Sequence, residues 1–144
     1  MLEELRRKLP EAFLNEKTGV LLFDKYKTIH TNDPLTKGYI ASLYFAYSKH
    51  ASLFKKMEAF NRGRNLMDAA VKASPNNIEL AFLRLSVQMN APGFLGYDTH
   101  IVSDKKLVLE GYEKTIPLIR KRIYEFVRTG NGFSQTEKSM VKPD

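Results

Sequence analysis

The residues of this 144-residue chain best suited to chemistry are its three histidines, and none of them lies in a catalytic or metal-binding pattern. His30, His50 and His100 are too far apart in the sequence to form a helical histidine pair for a metal ion. Asp33 follows His30 by three residues and Asp104 follows His100 by four. Both acids lie at predicted breaks or helix starts, where aspartate commonly caps or turns the backbone. The histidines therefore indicate no metal site.

The loop around residues 97–104 keeps one catalytic alternative open. Asp98 and His100 are close enough in sequence to form an acid–base pair or to supply two metal ligands. The other signatures of catalysis are absent, because Gly93 and Gly96 lack the Lys-Ser/Thr of a phosphate-binding loop and no serine lies in a nucleophile elbow. There is also no cysteine to serve as a nucleophile or a zinc ligand. We therefore expect a non-catalytic protein without a metal or cofactor.

Composition and charge indicate a folded, basic domain. The chain is 43% hydrophobic and 11% aromatic, which excludes a wholly disordered protein, and its net charge is +7. It contains no apolar run of the roughly 18 residues that a membrane-spanning helix needs. The first residues lack the order of a secretory signal, in which basic residues precede an apolar stretch. The expected compartment is the cytoplasm, or the periplasm if a leader has been removed.

Apolar residues recur with the helical period along the chain, and no strand alternation is present. This predicts an all-α fold, an antiparallel array of six or seven helices in a single domain over residues 1–130. A mostly polar, flexible tail is predicted over residues 131–144. The fifth helix, at about residues 77–90, has two apolar faces and should be central. Breaks between helices are predicted at residues 31–34, 56–59, 74–77 and 91–96.

One segment has the spacing of a helical repeat. Residues 44–77 span 34 residues and alternate large and small side chains along two predicted helices. The positions that set this spacing are Tyr47, Ala51, Phe54, Gly63, Met67, Ala70 and Pro75. A period of 34 residues is that of the tetratricopeptide repeat, and the segment resembles one degenerate repeat of this type. The run from 77 to 97 also resembles a family of small bacterial helical proteins with no assigned activity.

The tetratricopeptide resemblance implies a protein-binding function. In such repeats the first helix of each pair lines a concave surface. That surface would expose Phe45, Ser48 and Lys55 here, followed by Glu79, Phe82 and Ser86. We therefore predict a protein–protein interaction module that binds a partner segment or assembles with itself as a homodimer. The candidate partner-binding residues are Phe45, Lys55, Arg84 and Phe94.

Two alternatives stay open. Arg84 lies among apolar residues of the fifth predicted helix, and a buried guanidinium must be paired. We expect a salt bridge to an acid on a neighbouring helix, with contact to an anion or a peptide carboxylate as the alternative. The second alternative is a nucleic-acid-binding accessory protein, because cations cluster on two predicted helix faces near aromatic residues. These cations are Lys49, Lys55, Lys56, Arg62 and Arg64, and then Arg120, Lys121, Arg122 and Arg128.

Overall fold

The computed structural model describes residues 1–144 and is all-helical, as the sequence predicts. It contains eight α-helices and two short 3₁₀ turns, at Gly93–Leu95 and Tyr112–Lys114. None of the helices combines the length and the apolar character needed to cross a membrane. The tetratricopeptide-like array stays a prediction. The helices are α1 (Leu2–Leu14), α2 (Glu16–Tyr26), α3 (Pro34–His50), α4 (Leu53–Ala73), α5 (Ile78–Asn90), α6 (Ile101–Gly111), α7 (Pro117–Thr129) and α8 (Gln135–Ser139).

The helices divide into two compact units, Met1–Pro75 and Asn76–Asp144, called unit 1 and unit 2 below. Unit 1 contains α1 to α4, and unit 2 contains α5 to α8. Two compact units can still fold together, so the single domain predicted over residues 1–130 stays a prediction.

In unit 1, α1 and α2 form an antiparallel pair. The Nζ of Lys25 near the end of α2 donates to Glu4 near the start of α1 at 2.7 Å, and Thr18 donates to Glu11 at 3.4 Å. Asn15 makes the turn between the helices, and its side chain accepts a hydrogen bond from the Thr18 amide at 3.0 Å. An asparagine at this position is a preferred N-cap because it satisfies an amide that has no partner inside the helix.

The second pair of unit 1, α3 and α4, is also antiparallel and packs closely. The rings of Phe45 and Phe60 lie 4.9 Å apart, and the Lys56 ammonium donates to the Lys49 carbonyl at 3.2 Å. Gly63 provides the room for this approach, because a Cβ there would lie only 3.0 Å from the Ala41 carbonyl oxygen. Since α3 also packs against α1 and α2, it is the central helix of the unit.

The break between α3 and α4 differs from the prediction. The sequence places it near residues 56–59, but α3 ends at His50 and α4 begins at Leu53. The backbone is extended at Ala51 and Ser52, and Ser52 occupies the N-cap position of α4, where serine is favoured. The apolar spacing continues across this turn without a glycine or proline to mark it. A break at 56–59 implies that Phe54 ends the helix before the turn, whereas it lies in the first turn of α4.

In unit 2, α5 and α6 form a third antiparallel pair. Arg84 and Gln88 of α5 bond to Asp104 of α6, and the start of α5 meets the end of α6 where Ile78 approaches Gly111. The Asn77 side chain caps α5 by accepting from the Leu80 amide at 3.0 Å. The two predicted apolar faces of α5 are confirmed. Its buried residues include Leu80, Phe82, Leu83, Leu85 and Val87.

The last residues differ from the flexible tail that the sequence predicts. They include α8, and two apolar side chains, Phe133 and Val141, are buried in the same core as Ile123 of α7. The Lys142 amide also donates to the Tyr112 hydroxyl at 3.1 Å. Two well-spaced apolar side chains thus pack this mostly polar segment against the core of unit 2.

We expect Gly63→Val to lower the free energy of unfolding by about 2–3 kcal/mol, since overpacking forces the two helices apart. The new Cβ would lie 3.0 Å from Tyr44 Cβ and from the Ala41 carbonyl oxygen, neither of which can rotate away. Denaturant unfolding followed by circular dichroism measures the change. The matched control is Gly93→Ala, since a Cβ at Gly93 meets nothing within 4 Å. Equal stability of the two variants would contradict the close α3–α4 packing.

The pairing of α1 with α2 should weaken in acid. Hydrogen bonds from Lys25, Tyr26 and Lys8 lower the pKa of Glu4 from 4.5 to about 2. The folded state therefore favours the charged carboxylate, and this contribution to stability is present above pH 4.5 and is lost as the pH falls toward 2. We expect Glu4→Gln to lower the melting temperature at pH 7, and the difference from the parent protein to shrink and vanish as the pH falls through 2. Melting curves measured across this pH range check the prediction. A difference in melting temperature between the variant and the parent that is the same at every pH would refute it.

Candidate partner-binding site

The structure exposes two of the four predicted contact residues and buries the other two. Lys55 lies exposed in the first turns of α4, and Phe94 is 65% exposed in the 3₁₀ turn of unit 2. Phe45 is only 2% exposed and packs on Phe60, and Arg84 is 7% exposed. A partner would not reach Phe45 or Arg84 without opening the helix pairs that cover them.

The concave surface expected from the repeat resemblance is likewise covered. Of its six expected members, Lys55 is exposed and Ser86 is half-buried, whereas the other four are buried. The physical reason in unit 1 is the central position of α3, which packs against α1, α2 and α4. The buried members are Phe45, Ser48, Glu79 and Phe82.

The predicted salt bridge of Arg84 is confirmed, and its partner is Asp104. The guanidinium donates twice to the carboxylate, from Nε to Oδ2 at 2.8 Å and from Nη2 to Oδ1 at 2.9 Å. This two-point geometry is the strongest form of the Arg–carboxylate pair. Asp104 is only 1% exposed, so both charges of the pair lie away from solvent. The sequence had suggested a capping role for Asp104, but α6 begins three residues earlier, at Ile101.

A hydrogen-bond network extends from this pair into the 97–104 loop. The Gln88 amide donates to Asp104 Oδ2 at 2.9 Å, and its oxygen accepts from the His100 backbone amide at 2.8 Å. No buried side-chain nitrogen or oxygen in the protein lacks a partner. The network therefore ties the loop and α6 to α5, and the structure shows no hydrogen bond between the side chains of Asp98 and His100.

An exposed apolar surface lies at the start of α4, in unit 1. Leu53 is 64% exposed, Phe54 79% and Met57 46%. These residues lie within the first two turns of one helix, so their side chains are neighbours. Lys55 and Lys56 lie between Phe54 and Met57 in the sequence, Glu58 follows Met57, and Lys49 lies near the end of α3. We call this surface the α4 corner and define it by Leu53, Phe54, Lys55, Lys56 and Met57.

The exposure of the α4 corner is not predicted from the sequence. Phe54 continues the apolar stripe of α3 in sequence, which predicts a core position. The extended backbone at Ala51 and Ser52 instead starts a new helix and turns Phe54 outward. Large apolar residues that cluster on a surface are a common mark of a contact site.

The basic face of α7 is less available than the sequence suggests. The Arg120 Nε donates to Asp144 at 3.1 Å, and the Arg128 guanidinium lies 5.9 Å from the centroid of the Tyr124 ring. A cation that already has a partner within the chain contributes less binding free energy to a contact with the phosphate backbone of a nucleic acid.

The acids near the histidines have structural roles. Asp33 caps α3, because its Oδ2 accepts from the Thr36 amide at 3.0 Å and from the Thr36 hydroxyl at 2.6 Å. His50 lies against the Ala12 carbonyl at 3.2 Å. The structure holds no group of three or more histidine, aspartate or glutamate side chains placed to bind a metal ion.

Comparison with known proteins finds no family model, no curated protein and no solved structure that matches this chain.

Removing the carboxylate of Asp104 should strongly destabilise unit 2. We expect Asp104→Ala to lower the free energy of unfolding by about 3–5 kcal/mol, because it leaves the Arg84 guanidinium buried without its counter-charge. Replacing both members of the pair, as Arg84→Met with Asp104→Leu, should give a free energy of unfolding close to that of the parent protein. Denaturant unfolding of the single and double variants measures both effects. A loss below about 1 kcal/mol for the single variant would mean that solvent already reaches the pair.

Proposed function

We propose that the protein is a non-catalytic interaction module of tetratricopeptide-like type, and that the α4 corner is where it binds a protein partner. The observation that carries the proposal is the exposure of Leu53, Phe54 and Met57 on adjacent turns of a helix whose other face is buried. Burying them would remove a large aromatic and two flexible aliphatic side chains from water. Such aromatic and methionine anchors are enriched at the centres of protein interfaces.

The helix pairing supports the comparison with helical repeats. Three consecutive antiparallel pairs, α1–α2, α3–α4 and α5–α6, follow one another along the chain, and Gly63 allows close approach in the second pair. These features are compatible with a tetratricopeptide-like arrangement within each unit. They also place the exposed residues at a turn between helices, where a partner can approach without disturbing the core.

Charge identifies the chemistry of the partner. Lys49 and Lys55 are exposed beside the apolar residues, and neither side chain has an acid partner within the chain. Glu58 is the one acid on these first turns of α4. A partner segment that combines apolar side chains with aspartate or glutamate complements this surface, since opposite charges at an interface rim speed encounter and set specificity.

Site-specific photo-crosslinking tests the proposal. A photo-crosslinking amino acid in place of Phe54, introduced in the cells that naturally make the protein, should give a discrete adduct with a protein. Lys55→Glu in the same chain should lower the adduct yield about tenfold, the effect of losing a contact of roughly 1.4 kcal/mol. Glu58→Lys should leave the yield unchanged or raise it, because it removes the acid that repels an acidic partner.

The control position is Val102, which is 84% exposed in unit 2 and outside the α4 corner. The same amino acid in place of Phe94 tests the remaining predicted contact residue. An adduct of twice the chain mass would identify self-assembly. Equal yields from Phe54 and Val102, or an adduct that contains nucleic acid and disappears with nuclease, would refute the proposal. The second result would favour the nucleic-acid-binding alternative.

A further inference from the structure

A second candidate binding site lies in unit 1, at the other end of the α3–α4 pair from the α4 corner. It is a cleft of about 460 Å³ formed where the loop after α2 meets α3 and α4. A volume of this size is typical of pockets that hold small organic molecules. The cleft is lined by Lys27, Ile29, His30, Thr31, Asn32, Lys37, Ile40, Tyr44 and Leu66.

The floor of the cleft is apolar and well supported. Ile40 and Tyr44 lie one turn apart on α3 and are only 4% and 9% exposed. The Tyr44 ring packs edge-on against Phe23, with ring centroids 4.8 Å apart. Leu66 adds an aliphatic wall from α4. Because these side chains are held by the core of unit 1, the floor does not depend on a ligand for its shape.

The rim carries positive charge and no carboxylate. Of its two lysines, Lys27 is paired with Asp24 at 2.9 Å, whereas Lys37 has no acid partner in the structure. Thr31 and Asn32 add groups that can donate hydrogen bonds. One ammonium group at the cleft therefore remains without a counter-charge.

The nearest acid in sequence does not supply that counter-charge. The Asp33 carboxylate is committed to Thr36, whose hydroxyl and backbone amide both donate to it. These hydrogen bonds, together with the charge of Arg6, lower the pKa of Asp33. Its negative charge is thus balanced by the first turn of α3 and by Arg6, and Lys37 stays available.

We propose that this cleft binds an organic carboxylate with an apolar body. The carboxylate pairs with the Lys37 ammonium and accepts hydrogen bonds from Thr31 or Asn32, while the apolar body lies on Ile40 and Leu66. The same chemistry is offered by a free short-chain acid and by the C-terminus of a peptide that ends in an apolar residue. The proposal does not rest on the function assigned to the α4 corner.

Amide chemical shifts of the ¹⁵N-labelled full chain test the proposal, with hexanoate as the probe. Hexanoate should cause saturable shifts confined to residues 27–44 and to the surroundings of Leu66. Acetate lacks the apolar body and hexylamine has the opposite charge, so both should bind at least fivefold more weakly. A peptide ending in leucine, compared with its C-terminal amide, distinguishes a peptide C-terminus from a free acid as the preferred source of the carboxylate.

Lys37→Gln should weaken hexanoate binding at least fivefold while the rest of the spectrum stays unchanged. Lys55→Gln is the matched control, because it removes an exposed lysine from the α4 corner and should leave the affinity unaltered. The proposal is overturned if hexanoate gives no saturable shifts, if hexylamine binds equally well, or if the two lysine variants behave alike. None of these results depends on whether the α4 corner binds a protein.

Discussion

The close approach of α3 and α4 is the constraint on which the rest of unit 1 depends. Gly63 lets the helices meet near Ala41 and Tyr44, and the tilted packing of the Phe45 ring on Phe60 continues the contact toward the turn. Because α3 and α4 are antiparallel, the register set at Gly63 determines which residues lie at each end of the pair. Ile40 and His50 are ten residues apart on α3, or about 15 Å along the helix axis. The cleft lies near Ile40, and the α4 corner follows His50 in the sequence.

In unit 2 the organising interaction is polar. A buried ion pair costs a large desolvation free energy, which is recovered only when every lone pair and donor is satisfied. Arg84 and Asp104 share two hydrogen bonds, Gln88 donates a further one, and no buried polar atom of either side chain lacks a partner. Gln88 then holds the His100 amide, so one charged pair positions α5, α6 and the loop that precedes α6. Asp104, which follows His100 by four residues in the sequence, thus joins two helices.

The sequence predicts the helices well because their apolar residues recur with the helical period and because several ends carry recognisable caps, such as Asp33 and Asn77. It also predicts that Arg84 needs an acid, since burial of an unpaired charge is prohibitively costly. It does not identify Asp104 as that acid, because the same residue type at the same place is an ordinary helix cap. It misplaces the α3–α4 turn, because an extended Ala51-Ser52 pair leaves no glycine or proline signal.

The misplaced α3–α4 turn and the cleft matter most for function. Periodicity alone cannot tell whether Phe54 ends one helix or starts the next, and the answer decides whether its ring is in the core or on the surface. Likewise, the cleft depends on bringing Lys37 and Leu66 together across 29 positions of sequence, which only the packed helices can show. A site formed by tertiary contact cannot be predicted from the residue pattern of a single segment.

The most direct test of the account is thiol labelling, since the natural chain contains no cysteine. Phe54→Cys should react in the purified protein at nearly the rate of a free thiol. Ser52→Cys keeps the apolar residues of the α4 corner, and its labelling should slow in an extract of the cells that make the protein, relative to Val102→Cys in the same extract. Phe45→Cys should be protected under both conditions, provided that its circular dichroism matches that of the parent chain. Slow labelling of Phe54→Cys in the purified protein would contradict the exposed corner, and unchanged labelling of Ser52→Cys in the extract would contradict its role in binding.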